Sequence, residues 1–145
     1  IMKLSSPAFE PNTPIPAKYT CDGQDVSPPL HVAQAPEDAE TLTLIVDDPD
    51  APAGTWDHWI LYNIPASTTE IAEGSAPGTQ GTNDFKKQSY GGPCPPGGTH
   101  RYFFKLYALD TSLDLEAGAR KKEVEAAMDG HLLAKAELVG RYTRQ

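Results

Sequence analysis

Long apolar runs are missing from this chain of 145 residues. None approaches the roughly 20 residues that cross a bilayer, so no membrane-spanning helix is expected. The opening stretch "IMKLSSPAFEP" has no apolar core of the kind a signal peptide carries, and the expected location is cytoplasmic. Basic residues are also scarce. Twelve Lys and Arg face twenty Asp and Glu, for a net charge of −8. That balance repels a phosphate polymer, so DNA, RNA and anionic membrane surfaces are poor partners. It leaves room for one small phosphate held in a local pocket. Cysteine is nearly absent: Cys21 and Cys94 stand far apart with no CxxC spacing. A structural zinc site normally takes four closely spaced Cys or His ligands, and that pattern is lacking. In a reducing cytoplasm both residues are expected as free thiols.

Helical periodicity is scarce too. In "ARKKEVEAAMDGH" the positions Val124, Ala127, Met128 and His131 recur at i, i+3, i+4 and i+7, and Gly130 suits a helix stop. No other segment has this pattern. What the chain does have is punctuation, with 14 prolines and 12 glycines distributed along it. Between them lie alternating runs, which predict strands at 41–47, 56–64, 100–109 and 132–143, although the Ala, Lys and Glu of the last would also suit a helix. The stretch 65–99 is long, polar and rich in Gly and Pro. Such a stretch is functional or hides short strands. The prediction is one domain spanning 1–145. It is mostly β, an antiparallel two-sheet sandwich with Greek-key topology and a short helix near the C-terminus.

Strand parity then sorts the polar residues. Asp48 continues the face of Leu42, Leu44 and Val46. His58 shares parity with Trp56, Ile60, Tyr62 and Ile64. His100 opens the face of Tyr102, Phe104, Leu106 and Ala108. If those faces point inward, an Asp and two His converge at the ends of three strands. Asp47 and Asp57 have the opposite parity and are expected in solvent. His31 and His131 are assigned to structure or surface, and Trp56 and Trp59 to packing. Each motif also has a plain reading: Asp-Pro-Asp is usually a turn, and a single inward His is usually a satisfied core residue. The glycines of "QSYGGPCPPGGTH", 88–100, would let backbone N–H groups approach a ligand closely. The combination suits a small preformed anion pocket.

The motifs "DPDAP" (48–52), "WDHW" (56–59), "NIP" (63–65), "YGGPCPP" (90–96) and "HRYFFKLYALD" (100–110) occur in that order. Together they resemble the phosphatidylethanolamine-binding protein family, also called the Raf kinase inhibitor protein family. "YTCDGQDVSPPL" (19–30) and "AMDGHLLAKAELVGRY" (127–142) resemble its bacterial and archaeal branch. The resemblance implies a β-sandwich with a surface pocket for phosphate-type anions, phosphorylethanolamine head groups included. By motif it makes Asp48, His58 and His100 pocket residues and Asp50 a brace for the loop. Gly92 and Pro96 match rim positions, and Tyr102 follows His100 inward. It suggests a cis bond at Ala51–Pro52 and, if their loops meet, a disulfide or redox-sensitive pair of Cys21 with Cys94. The C-terminal helix that covers the pocket in eukaryotic members is missing. Their lipid and kinase partners are therefore not transferred, and a homodimer that covers the exposed surface is an expectation.

Three functions stand at this point. The first is a non-enzymatic binder of a small anion, acting as a regulatory module on a partner protein, with no cofactor. The second is a metal-dependent phosphoester hydrolase that uses Asp48, His58 and His100 as a two-His, one-carboxylate set. A metal-free enzyme would need Ser89 or Cys94 as nucleophile, and neither sits in a recognisable elbow. The third is a protease or kinase inhibitor that acts through surface loops.

Overall fold

A computed structural model describes all residues, 1–145. The long alternating runs form the larger sheet. Its strands are β3 (Thr41–Asp48), β4 (Trp56–Pro65), β6 (Thr79–Gln80), β7 (Thr99–Leu109) and β8 (Leu132–Thr143), in the antiparallel order β6-β4-β3-β7-β8. Strands β3, β4 and β6 follow one another, and β7 returns beside β3, which is a Greek-key connection. The smaller sheet is β1 (Lys3–Ser5), β2 (Leu30–Ala33) and β5 (Glu70–Ile71), in the order β1-β2-β5. The stretch 65–99 thus holds two short strands, β5 and β6.

One face of the larger sheet packs on the smaller sheet. Leu42, Leu44, Val46, Trp59, Leu61, Tyr102, Phe104, Leu106 and Leu138 bury against Met2, Leu4, Leu30, Val32 and Ile71. Removing this much apolar surface from water is the main stabilising term of the sandwich. The other face carries a second core of Ile45, Ile60, Tyr62, Tyr107 and Leu109, roofed by Leu113, Ala119, Val124 and Met128. The last two lie on α1 (Lys121–Met128), the predicted helix with its ends trimmed. Glu123 Oε1 accepts the backbone N–H of Arg120 at 3.1 Å, which satisfies one free donor at the helix start. Gly130 follows the helix with φ +82°, the left-handed geometry that suits a glycine stop. No helix is long and apolar enough to cross a membrane.

Strand β4 departs from simple alternation. Its pairing with β3 shifts register between Leu42 and Leu44 and again between Val46 and Asp47. Each shift places an extra residue on β4, near Asn63 and at His58. A bulge flips the parity of the residues beyond it. Trp56, His58, Trp59, Leu61 and Ile64 therefore face the sandwich side, while Ile60 and Tyr62 join the second core. The expected common face of His58, Ile60 and Tyr62 does not exist.

Three further expectations are corrected. Asp47 and Asp57 are on the opposite face, Asp57 only by way of the bulge at His58, but they are buried, because α1 covers them. Ala51–Pro52 is trans, as is every peptide bond; the turn closes by the Gly54 N–H donating to Ala51 O at 3.1 Å, with Gly54 at φ +111°. Cys21 and Cys94 form a disulfide rather than two thiols, with Cα atoms 5.4 Å apart. The fold brings together loops 73 residues apart in sequence. The Cys21 N–H donates to Pro93 O, and the Tyr90 hydroxyl donates to Tyr19 O.

Candidate functional site

At one end of the larger sheet the chain leaves a cavity of about 210 Å³. Its walls come from the end of β3 (Asp48), the start of β4 (Trp56, His58) and the start of β7 (His100, Tyr102). Ala51, Pro52, Phe85 and Cys94–Pro96 complete the rim. The three strand ends named from the sequence meet here.

His100 Nδ1 lies 2.7 Å from Asp48 Oδ2, and both side chains are buried. The carboxylate accepts, so Nδ1 carries the hydrogen. Asp48 Oδ1 accepts the Asp50 N–H at 2.8 Å, which fixes the turn after β3. Asp50 in turn holds the start of β7. Its Oδ2 accepts the Arg101 N–H at 3.0 Å and Nε–H at 2.9 Å, and its Oδ1 accepts the Nη2–H at 2.8 Å. That bond to the guanidinium pulls the Asp50 carboxyl down to about 2. Asp50 faces away from the cavity and braces its wall.

His58 is held differently. Its Nδ1 lies 2.7 Å from the Gly91 carbonyl oxygen, which can only accept. Its ring packs edge-on against Tyr102 and Phe85, with centroids 5.2 and 5.3 Å away. Burial pushes the imidazole below the usual histidine range; the bond to Gly91 O and the charge of Asp48 oppose this without reversing it. Tyr102 is 1% exposed, and its hydroxyl makes no hydrogen bond. Burial first, then the Asp48 charge, push that hydroxyl far above the usual tyrosine range. It is a neutral hydroxyl at the cavity wall with the Asp48 carboxylate and the Cys94 N–H within reach, although neither contact has good hydrogen-bond geometry.

Pro96 lines the cavity, but Gly92 sits behind it. The Gly92 N–H donates to Asp25 Oδ1 at 2.8 Å, and a Cβ at this position would stand 2.4 Å from Tyr19 O. Its role is close packing of the 90–96 loop on the Cys21 loop. Ala51, Pro52, Cys94, Pro95 and two aromatics also line the cavity without having been named as site residues. Trp56, 36% exposed, and Phe85, 38% exposed, meet edge-on at the mouth with centroids 5.6 Å apart. A lone aromatic within the polar run "NDFKKQS" was the available signal for Phe85. Cys94 Sγ is in the disulfide and offers no free thiol nucleophile. Both Asp48 oxygens and both Nδ1 atoms already have protein partners, and no group of three or more His, Cys, Asp or Glu is arranged to hold a metal ion.

The cavity and fold define a class: a two-sheet β-sandwich with a small, polar-floored pocket at one end of its larger sheet. A family model described as phosphatidylethanolamine-binding protein matches residues 5–143. The chain is 51% identical over 150 residues to a UPF0098 protein of Methanothermobacter thermautotrophicus, covering 99% of each. It is 50% identical to a UPF0098 protein of Pyrococcus horikoshii, covering 99% of this chain and 77% of that one. A crystal structure from Chlamydia trachomatis, described as a phosphatidylethanolamine-binding protein homologue, superposes with a TM-score of 0.97 at 45% identity. It covers 99% of this chain and 98% of the other. Escherichia coli YbcL, described as a new member of the mammalian family, superposes with a TM-score of 0.91 at 28% identity over 99% of both chains. The chain belongs to the phosphatidylethanolamine-binding protein family.

Proposed function

We propose that this protein binds a small phosphate-type anion in the cavity, free or as the end of a head group such as phosphorylethanolamine. It acts by occupancy, as a regulatory module for a partner protein, rather than by turnover. The observation that carries this reading is the pair of buried imidazoles that line the cavity with their Nδ1 atoms already committed to the protein. The bonds that fix Nδ1 leave each Nε2 for a ligand. His100 stays on Asp48 through Nδ1, and the Tyr102 hydroxyl beside it can turn from Asp48 to a ligand oxygen. The aromatic walls strengthen each bond.

Calorimetry with inorganic phosphate tests the reading. Binding is expected in the wild type and is weakened at least about tenfold in His100→Ala, which removes the ring from the cavity wall and leaves the Asp48 carboxylate facing the anion. Affinity should rise as pH falls below 6.5, where His58, neutral in the fold because its value is depressed, takes up a proton. Affinity independent of pH would count against recognition by histidine.

A further inference from the structure

The two Nδ1 bonds set what the cavity offers, atom by atom. Gly91 O has no hydrogen, so the bond at 2.7 Å requires the hydrogen on His58 Nδ1. The neutral ring then presents Nε2 to the cavity as a lone pair, an acceptor. Tyr102 Oη beside it is a neutral hydroxyl close to the Asp48 carboxylate. A wall with a fixed acceptor does not match a tetrahedral anion that has only acceptor oxygens. It matches one that keeps a hydrogen on one oxygen.

Building on the anion-binding reading, we propose that the cavity selects phosphoryl groups carrying a proton, with P–O–H donating to His58 Nε2, over sulfate-type groups, which carry none. Every element around His58 is consistent with this. Asp48 and Trp56 face it from β3 and β4, His100 and Tyr102 from β7, and Phe85, Gly91 and Gly92 from the loops, with Asp25 behind them. The charged neighbours Asp48 and Asp25 are acidic, and neither donates to an anion. A sulfate oxygen placed against Nε2 would set lone pair against lone pair. Binding it requires His58 to take a proton from solvent, which burial opposes. A phosphoryl O–H brings the proton with it. An enclosed site that hydrogen-bonds a ligand O–H rejects analogues that lack it, because its own polar atom is then left unpaired.

Inorganic phosphate and sulfate make a close-matched pair of probes. Near about pH 8 both are tetrahedral dianions of similar size, and only phosphate has a hydrogen. Calorimetric titration of the wild-type protein at that pH should find phosphate bound about tenfold or more tightly, the weight of one buried hydrogen bond left unmade. At the acidic pH where His58 takes up its proton, below the usual histidine range, the gap should close, as the protonated ring donates to sulfate as well. Methyl phosphate separates an esterified source from the free ion. Its last proton leaves near about pH 6, so its affinity should fall between about pH 5 and pH 8 more steeply than that of inorganic phosphate. Sulfate binding as tightly as phosphate near pH 8, or methyl phosphate tracking inorganic phosphate throughout, would overturn the selectivity and leave anion binding standing. Failure of all three probes at every pH would instead remove the anion-binding reading on which the proposal rests.

Discussion

The Tyr102 hydroxyl carries much of the functional argument, and it can be tested apart from the fold. Tyr102→Phe removes a buried hydroxyl whose contacts with Asp48 and Cys94 are not well-formed hydrogen bonds. The free protein should therefore keep its stability or gain up to about 1 kcal/mol in urea unfolding, while phosphate binding weakens about five- to tenfold. Loss of stability together with loss of binding would show that the hydroxyl serves the fold. Asp48, His58 and His100 were legible as strand-end residues. For Asp48 and His100 the parity argument holds. For His58 it reaches the right cavity by the wrong route: two errors cancel, because the residue sits on a bulge and the face assigned to it from Ile60 and Tyr62 is the opposite one. The N–H and C=O pattern that admits an extra residue depends on the partner strand, which one sequence does not display.

At the scale of elements, α1 is held on the sheet by charge as well as by Val124 and Met128. Lys121 Nζ stands 2.7 Å from Asp57 Oδ1, an ion pair whose angles fall short of a hydrogen bond, and 3.4 Å from Asp47 Oδ2. Lys105 reaches Asp47 Oδ2 at 3.1 Å from β7. Burial alone would pull the Lys121 ammonium down, but its contact with Asp57 and the charges of Asp57 and Asp47 outweigh it and raise the value. Burial raises the Asp57 carboxyl despite Lys121. Lys121→Met leaves Asp57 buried without its counter-charge and should cost about 3 kcal/mol, read by urea unfolding. Adding Asp57→Asn should recover part of that loss. No recovery would mean that Lys121 acts through the packing of its stem. Parity put Asp47 on the correct face, and Asp57 there by the same cancelled errors as His58, and could not say that a helix far along the chain would cover them.

Across the whole molecule, the Cys21–Cys94 bond ties the pocket rim to the loop that anchors the C-terminal end. Asp22, next to Cys21, accepts the Tyr142 hydroxyl at 2.5 Å and the Gln145 N–H at 2.9 Å. The bridge closes a loop of 73 residues. On the chain-entropy account, a loop of that length contributes about 4 kcal/mol by restricting the unfolded state. Reduction, or Cys21→Ser, should lower the melting temperature markedly in calorimetry while the Asp48–His100 pair stays intact. An unchanged melting temperature would mean that the loops are held by Tyr90, Gly92 and Asp25 alone.

The sequence by itself determined the β-rich class, the four long strands, the single helix and the identity of the polar residues at the strand ends. These come from local periodicity and turn chemistry, which each segment carries within itself. Only the tertiary structure decided which face His58 takes, that Asp47 and Asp57 are covered, that two distant cysteines meet, and that the Tyr102 hydroxyl is buried beside Asp48. It also decided the smaller sheet, whose strands of two to four residues are too short to show a period. Each of these depends on what a residue lies against, and that is set by pairing between segments far apart in the chain.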